Sequence, residues 1–415
     1  MTDSASPATN SQFQLLSQRR FAPFFWTQFL GAGNDNIFKF AFTVLATYHA
    51  AEWGGLDAKL AGPVIGGLFI LPFVLFSATS GQLADKYDRA AIARLVKNLE
   101  IAFMLVIAAG FTFALPICLF IGVFLMGCHS TLFGPAKFAY LPQHLRNDEL
   151  TGGNGLVEMG TFVAILLGTM LGGALVAIPG AGPTYVAIVS LVVAVLGRVA
   201  AGFIPASPAP VPDLKVNWNP FTETWANLRI ANRNRPVFLS MIGISWLWFF
   251  GSIFLTSFTG FAKEVLSGNE QVVTLLLATF SVGIGLGSVL CEKMSGHRIE
   301  IGLVPFGSIG MTLFAVDLYF ASRGMKSGAL IGAAAFIEIG ANWRVMADLF
   351  LLAMFAGFYS VPLYSMMQAR TEPDFRARII AANNILNALF MVVAAGLSAA
   401  ILHAGLTLPQ LFLTV

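Results

Sequence analysis

Stretches of about twenty residues with few or no charges recur along this 415-residue chain, and each is long enough to cross the roughly 30 Å of a bilayer core as a helix. Split where Pro and Gly cluster, they give eleven spans: 21–48, 60–84, 91–114, 116–140, 150–178, 182–204, 236–262, 272–293, 300–322, 345–368 and 376–403. Residues 406–415 remain as a twelfth span too short to cross. Only 11% of residues are charged, against about 25% in soluble domains, so a water-soluble fold is excluded. A net charge of +3 offers nothing to nucleic acid. Cys118, Cys128 and Cys291 lie in or beside apolar runs without CxxC spacing, so neither a disulfide framework nor a metal site is expected, and no motif calls for a cofactor.

Residues 1–20 read as a cytoplasmic tail, Ser/Thr/Gln-rich and without a cleavable signal. With the tail inside, sixteen Lys and Arg, Lys97 among them, fall on the cytoplasmic side and five fall outside: Lys59, Lys263, Arg323, Lys326 and Arg344. That bias predicts a multi-pass membrane protein with a cytoplasmic N-terminus.

The long polar interruption at 205–235 separates an N-terminal bundle, 21–204, from a C-terminal bundle, 236–415. Pro205, Pro208, Pro210 and Pro212 stiffen its start, and Phe221, Trp225 and Leu228 among polar residues predict a short interfacial helix over 220–233. A Gly-rich apolar stretch at 325–343 reads as an outer re-entrant or interfacial loop.

The two bundles repeat. Asn154 falls on Asn383 at an offset of 229, Leu83-Ala84-Asp85-Lys86 on Leu290-Cys291-Glu292-Lys293 at 207, and Pro135 on Pro362 at 227. Each match pairs a span with the sixth after it. An all-helical 6+6 arrangement of this kind, its twelfth helix truncated, resembles the major facilitator superfamily, whose substrates bind near the midplane between the halves. The loop after span 2, Gly81-Gln82-Leu83-Ala84-Asp85-Lys86-Tyr87-Asp88-Arg89, resembles that superfamily's G-x-L-a-D-r-x-G-r signature. Gly81 would permit close helix approach, and Asp85 would pair with Arg89 or accept from helix N-terminal amides, latching one state. Glu292 and Lys293 are the repeat's second gate.

Charges inside spans are costly and default to function. Asp35 and Lys39 stand at i,i+4 in span 1 and are expected to neutralise each other. Lys137 follows Gly134-Pro135 in span 4, Glu158 lies two turns into span 5, and Asn36 and Asn154 add polarity. The C-terminal bundle supplies Asn383 and Asn387 but hardly any buried charge, with a Phe-rich span 7. A cavity polar on one wall and apolar on the other suits an amphiphile. Gly168 to Gly173 reads as a packing face.

Gly33-Asn34-Asp35-Asn36, Gly134-Pro135-Ala136-Lys137-Phe138, Asn154-Gly155-Leu156-Val157-Glu158 and Gly357-Phe358-Tyr359-Ser360-Val361-Pro362-Leu363 together resemble the bacterial lysophospholipid transporter family. The resemblance implies flipping of lysophospholipid, chiefly the ethanolamine type, across the bacterial inner membrane to the cytoplasmic leaflet. There an acyltransferase/acyl-carrier-protein synthetase, fused C-terminally in some members, would re-acylate it. Asp35 and Glu158 would then face the ammonium and Lys39 or Lys137 the phosphate. The rival reading is a proton-coupled exporter of amphiphilic drugs. An enzyme is not expected, since no H-x4-D, GxSxG or HExxH pattern occurs.

Overall fold

A computed structural model describes residues 11–55, 58–325 and 328–415. The start of the tail, residues 1–10, and Lys326 lie outside the described residues, as does the side chain of Lys59. The described residues form fourteen α-helices: α1 (Ala22–Tyr48), α2 (Ala58–Lys86), α3 (Arg89–Thr112), α4 (Pro116–His144), α5 (Leu150–Val176), α6 (Gly182–Gly202), α7 (Pro220–Arg233), α8 (Arg235–Gly260), α9 (Glu270–Ser295), α10 (Leu303–Ser322), α11 (Ala333–Glu338), α12 (Gly340–Arg370), α13 (Arg376–His403) and α14 (Leu408–Thr414). Nine of these are long and apolar enough to span a membrane. α1, with 27 residues, and α3, with 24, are also long enough and make eleven among the described residues.

Local chemistry sets the boundaries. Asp88 caps α3 by accepting from the Ala91 amide at 2.8 Å, Asn269 caps α9, and Gly296 ends α9 in the left-handed conformation at φ 59°. Pro63, Pro72, Pro135, Pro142 and Pro362 sit inside helices, which a membrane protein tolerates because neighbouring helices satisfy the freed backbone groups.

α1 to α6 pack as one bundle and α8, α9, α10, α12, α13 and α14 as the other. Small residues permit the close crossings: a methyl at Gly168 or Gly172 of α5 would strike the carbonyls of Gly33 and Ile37 on α1. That is the packing face expected of this stretch.

The linker between the bundles carries α7, which buries Glu223, Asn227 and Ala231 and leaves Phe221 and Trp225 exposed. Downstream, Ile331 joins Ser267 and Asn269 by backbone hydrogen bonds of 2.8 and 3.0 Å, and the one-and-a-half-turn α11 follows. The short twelfth helix is docked: Thr407 and Gln410 form a capping box, and Phe412 stacks on Phe254 at 4.3 Å between ring centres.

Candidate functional site

The bundles meet tightly at the end that carries the α2–α3 turn. Asp85, fully buried, accepts from Arg89 at 3.1 Å within its own bundle. It also accepts from the amides of Ala377 and Arg378 (3.2 and 3.3 Å) and from Arg378 Nε (3.2 Å) at the first turn of α13. A carboxylate thus caps a helix of the opposite bundle, where the helix dipole favours it. Gly81 makes the approach possible, because a Cβ there would lie 2.6 Å from that of Ala381.

The pseudo-equivalent corner is built differently. Glu292 faces Gly152 of α5 and contacts His297 at 3.2 Å, while Lys293 is exposed on the last turn of α9. Glu292 therefore lies at the seam and Lys293 does not.

Asn154 and Gln368 clasp each other by hydrogen bonds of 2.7 and 3.0 Å, and Thr151 donates to the Arg298 carbonyl at 3.1 Å. Among the described residues, every hydrogen bond between the bundles lies at this same end. Asn154 is accordingly a seam residue and does not line the cavity. Its repeat partner Asn383 is fully buried and its carboxamide makes no hydrogen bond among the described residues. Asn384, one residue on, reaches the cavity instead.

Beyond the seam lies a cavity of about 360 Å³. Asp35, Asn36 and Lys39 from α1, Lys137 from α4, Glu158 from α5 and Asn387 from α13 all line it. Asp35 and Lys39 form no ion pair within 4 Å, contrary to the helical-pair expectation. Asp35 instead accepts from Ser130 at 2.9 Å, and the Lys39 ammonium lies 4.3 Å from the ring centre of Phe69. Lys137 donates to Thr161 at 3.2 Å, and the Thr161 hydroxyl faces both the Val157 carbonyl at 2.8 Å and Gln28 Oε1 at 3.1 Å. The facing wall is uncharged: Trp248 donates to the Tyr364 hydroxyl at 3.3 Å, Tyr364 stacks on Phe138 at 4.8 Å, and Ser245 donates to Asn387 at 2.8 Å.

One charged cluster escaped sequence reasoning. Lys97, counted there with the cytoplasmic bases, is 1% exposed and inside the first bundle, with its ammonium 2.5 Å from Glu100. Glu100 also accepts from Asn34 at 2.8 Å and lies 3.2 Å from His129 Nε2. Gly31 and Gly197 leave room for the ammonium, since a Cβ at Gly31 would sit 2.6 Å from it. The available signal was Lys97 and Glu100 at i,i+3 within one span, a spacing that lets two buried charges neutralise each other.

Known proteins agree with this architecture. The chain is 29% identical to the "Lysophospholipid transporter LplT" of Klebsiella pneumoniae over 387 residues, 91% of this chain and 87% of that one. That match gives no support to a fused acyltransferase/acyl-carrier-protein synthetase domain. Among solved structures, a bacterial homologue of the iron transporter ferroportin superposes with a TM-score of 0.65 at 14% identity, covering 95% of each chain. The transporter FucP in its outward conformation gives 0.69 at 11% identity, also covering 95% of each. The sequence profile of the Major Facilitator Superfamily matches residues 24–395. With two helical bundles closed over a shared central cavity and that match across both of them, the chain belongs to the Major Facilitator Superfamily.

Proposed function

We propose that this transporter carries lysophospholipids, chiefly lysophosphatidylethanolamine, across the bacterial inner membrane to the cytoplasmic leaflet, where an acyltransferase can restore the second chain. One observation carries the reading. Two acids, Asp35 and Glu158, and two bases, Lys39 and Lys137, converge on one cavity, which Lys97, already paired with Glu100, also lines, and whose opposite wall is aromatic and uncharged. Two carboxylates and two ammonium groups complement a zwitterionic head group, which brings one charge of each sign and no net charge. The apolar part of the lining, with Phe69 and Phe73 of α2 and Met391 of α13, offers contact to a single acyl chain. The similarity to the Klebsiella transporter supports the same substrate class.

With the N-terminus cytoplasmic, the sealed end carrying Asp85 faces the cytoplasm, and this structure is the state that receives lipid from the outer side. The test is uptake of lysophosphatidylethanolamine by vesicles containing the purified protein. Asp35→Asn removes one charge-assisted contact and should lower uptake roughly tenfold while the protein stays in the membrane. Unchanged uptake would defeat the assignment.

A further inference from the structure

The charged groups of the cavity answer to a head group and its apolar lining to a tail, which leaves the glycerol that joins the two. Two carboxamides stand where that junction would lie. Asn384 and Asn387 are three residues apart on one face of α13, and both line the cavity. Further along the helix the same face becomes apolar with Ala388 and Met391. Asn384 also lies against the charged wall, because a Cβ at Gly134 of α4 would sit 2.8 Å from its Nδ2. Gly134 is one turn from Ser130, which holds Asp35, and one turn from Lys137.

Neutral groups on the charged wall are already occupied. Ser130 donates to Asp35 at 2.9 Å, Thr161 accepts from Lys137 at 3.2 Å, and Asn36 spends its amide on the Ala32 carbonyl at 2.8 Å. Those on α13 are not. Asn387 accepts from Ser245 at 2.8 Å, which commits its oxygen and leaves its NH2 to donate. The Asn384 carboxamide makes no hydrogen bond among the described residues, so it offers an acceptor as well as donors. A single ligand group that both donates and accepts would satisfy the pair, and a hydroxyl is such a group.

We propose that Asn384 and Asn387 read the free hydroxyl on the central glycerol carbon of a lysophospholipid, and so select lipids that have lost an acyl chain. The inference rests on the lysophospholipid reading above. The hydroxyl gives its proton to Asn384 Oδ1 and accepts from Asn387 Nδ2. The carbon that bears it is joined to the phosphate through one methylene and one oxygen. Gly134, beside Asn384, precedes Lys137 by three residues, a rise of about 4.5 Å along α4, so a phosphate held by Lys137 brings its glycerol to the level of the carboxamide. In a diacyl lipid the same oxygen is esterified and carries no proton, which leaves Asn384 Oδ1 unpaired. A site built to hydrogen-bond a substrate hydroxyl disfavours the analogue without it, because the site's own polar groups then lose their partner.

The test measures uptake by vesicles containing the full chain, with two probes of identical charge and acyl chain: lysophosphatidylethanolamine and its deoxy analogue, in which hydrogen replaces the glycerol hydroxyl. The wild-type protein should take up the hydroxyl lipid with a kcat/KM roughly three- to tenfold above that of the analogue. Asn384→Leu removes the carboxamide at similar volume, and Gly134→Ala displaces it from a different helix. Each should bring the ratio to about one by lowering uptake of the hydroxyl lipid towards that of the analogue. Partition of a lipid into the vesicle is the same for every variant, so comparing ratios removes it, and a purely structural defect would lower both lipids together and leave the ratio as it was. Equal kcat/KM values in the wild type, or a preference that survives in either variant, overturns the inference and leaves the lysophospholipid reading standing. Absence of uptake of either lipid by the wild type would instead defeat the lysophospholipid reading, and this inference with it.

Discussion

Arg378 reaches across from the second bundle to place its Nε 3.2 Å from Asp85, 293 residues away in sequence. The same carboxylate holds Arg89, which is 2% exposed, and two amides at the start of α13. Asp85 thus joins the two bundles at the closed end, with one partner in its own bundle and three contacts across to α13. Asp85→Ala would leave Arg89 with only the carbonyls of Ala84 and Ala139, at 3.1 and 3.2 Å, and would uncap α13. Removing one partner of a buried ion pair costs about 3–5 kcal/mol, enough to shift a two-state equilibrium roughly a hundredfold or more. The expected result is opening of the sealed end. A cysteine placed at Ser365, buried in the seam beside Asn154, should react with maleimide far faster in Asp85→Ala than in the same cysteine background with Asp85 intact. Equal rates would show that Asp85 does not hold the seam.

The buried group Lys97–Glu100–His129 makes a second prediction. Glu100→Gln leaves the Lys97 ammonium without its counter-charge in a pocket shaped by Gly31 and Gly197. The expected loss is about 3–5 kcal/mol, read as a lower midpoint of thermal unfolding in detergent. The paired replacement Lys97→Met with Glu100→Leu removes both charges together and should recover most of that loss, because a well-packed apolar pair often matches a buried ion pair. An unfolding midpoint for Glu100→Gln equal to that of the wild type would contradict the burial described here.

The architecture was legible in the sequence because the bilayer constrains it so strongly. Span lengths, the repeat offsets and Gly81-to-Arg89 each follow from a rule with few exceptions, and the G-x-L-a-D pattern even indicated that Asp85 could cap a helix. Partner choice among buried polar groups was less legible. Asp35 and Lys39 share a helical face, yet each makes its close contact on another helix, Ser130 on α4 and Phe69 on α2. Asn154 and Asn383 are equivalent in sequence but differ in surroundings, since Gln368 meets the first while nothing comparable meets the second. Lys97 was misplaced because a base eight residues into α3 reads as a flanking charge unless Glu100, a turn further on, is taken with it. Such pairings depend on how helices face one another, which a single chain's periodicity does not encode.

Outside the spans, Arg20 grips Glu149 with two hydrogen bonds of 2.7 and 2.6 Å and fastens the start of α1 to that of α5. Burial alone would push the Glu149 carboxyl up, but the Arg20 guanidinium and the Arg146 amide outweigh it and hold the group below its ordinary value of 4.5. A lowered folded-state value means that the unfolded chain takes up the proton first as pH falls. The stabilisation is therefore complete above about 4.5 and disappears as pH drops through the lowered value. Glu149→Gln should lower the unfolding midpoint at neutral pH, by the equivalent of about 1 kcal/mol for a pair that solvent partly screens. Its midpoint should fall less steeply with acid than that of the wild type, so that the two curves converge as pH drops through the lowered value. Parallel curves across that range would show that the contact with Arg20 contributes nothing to joining α1 and α5.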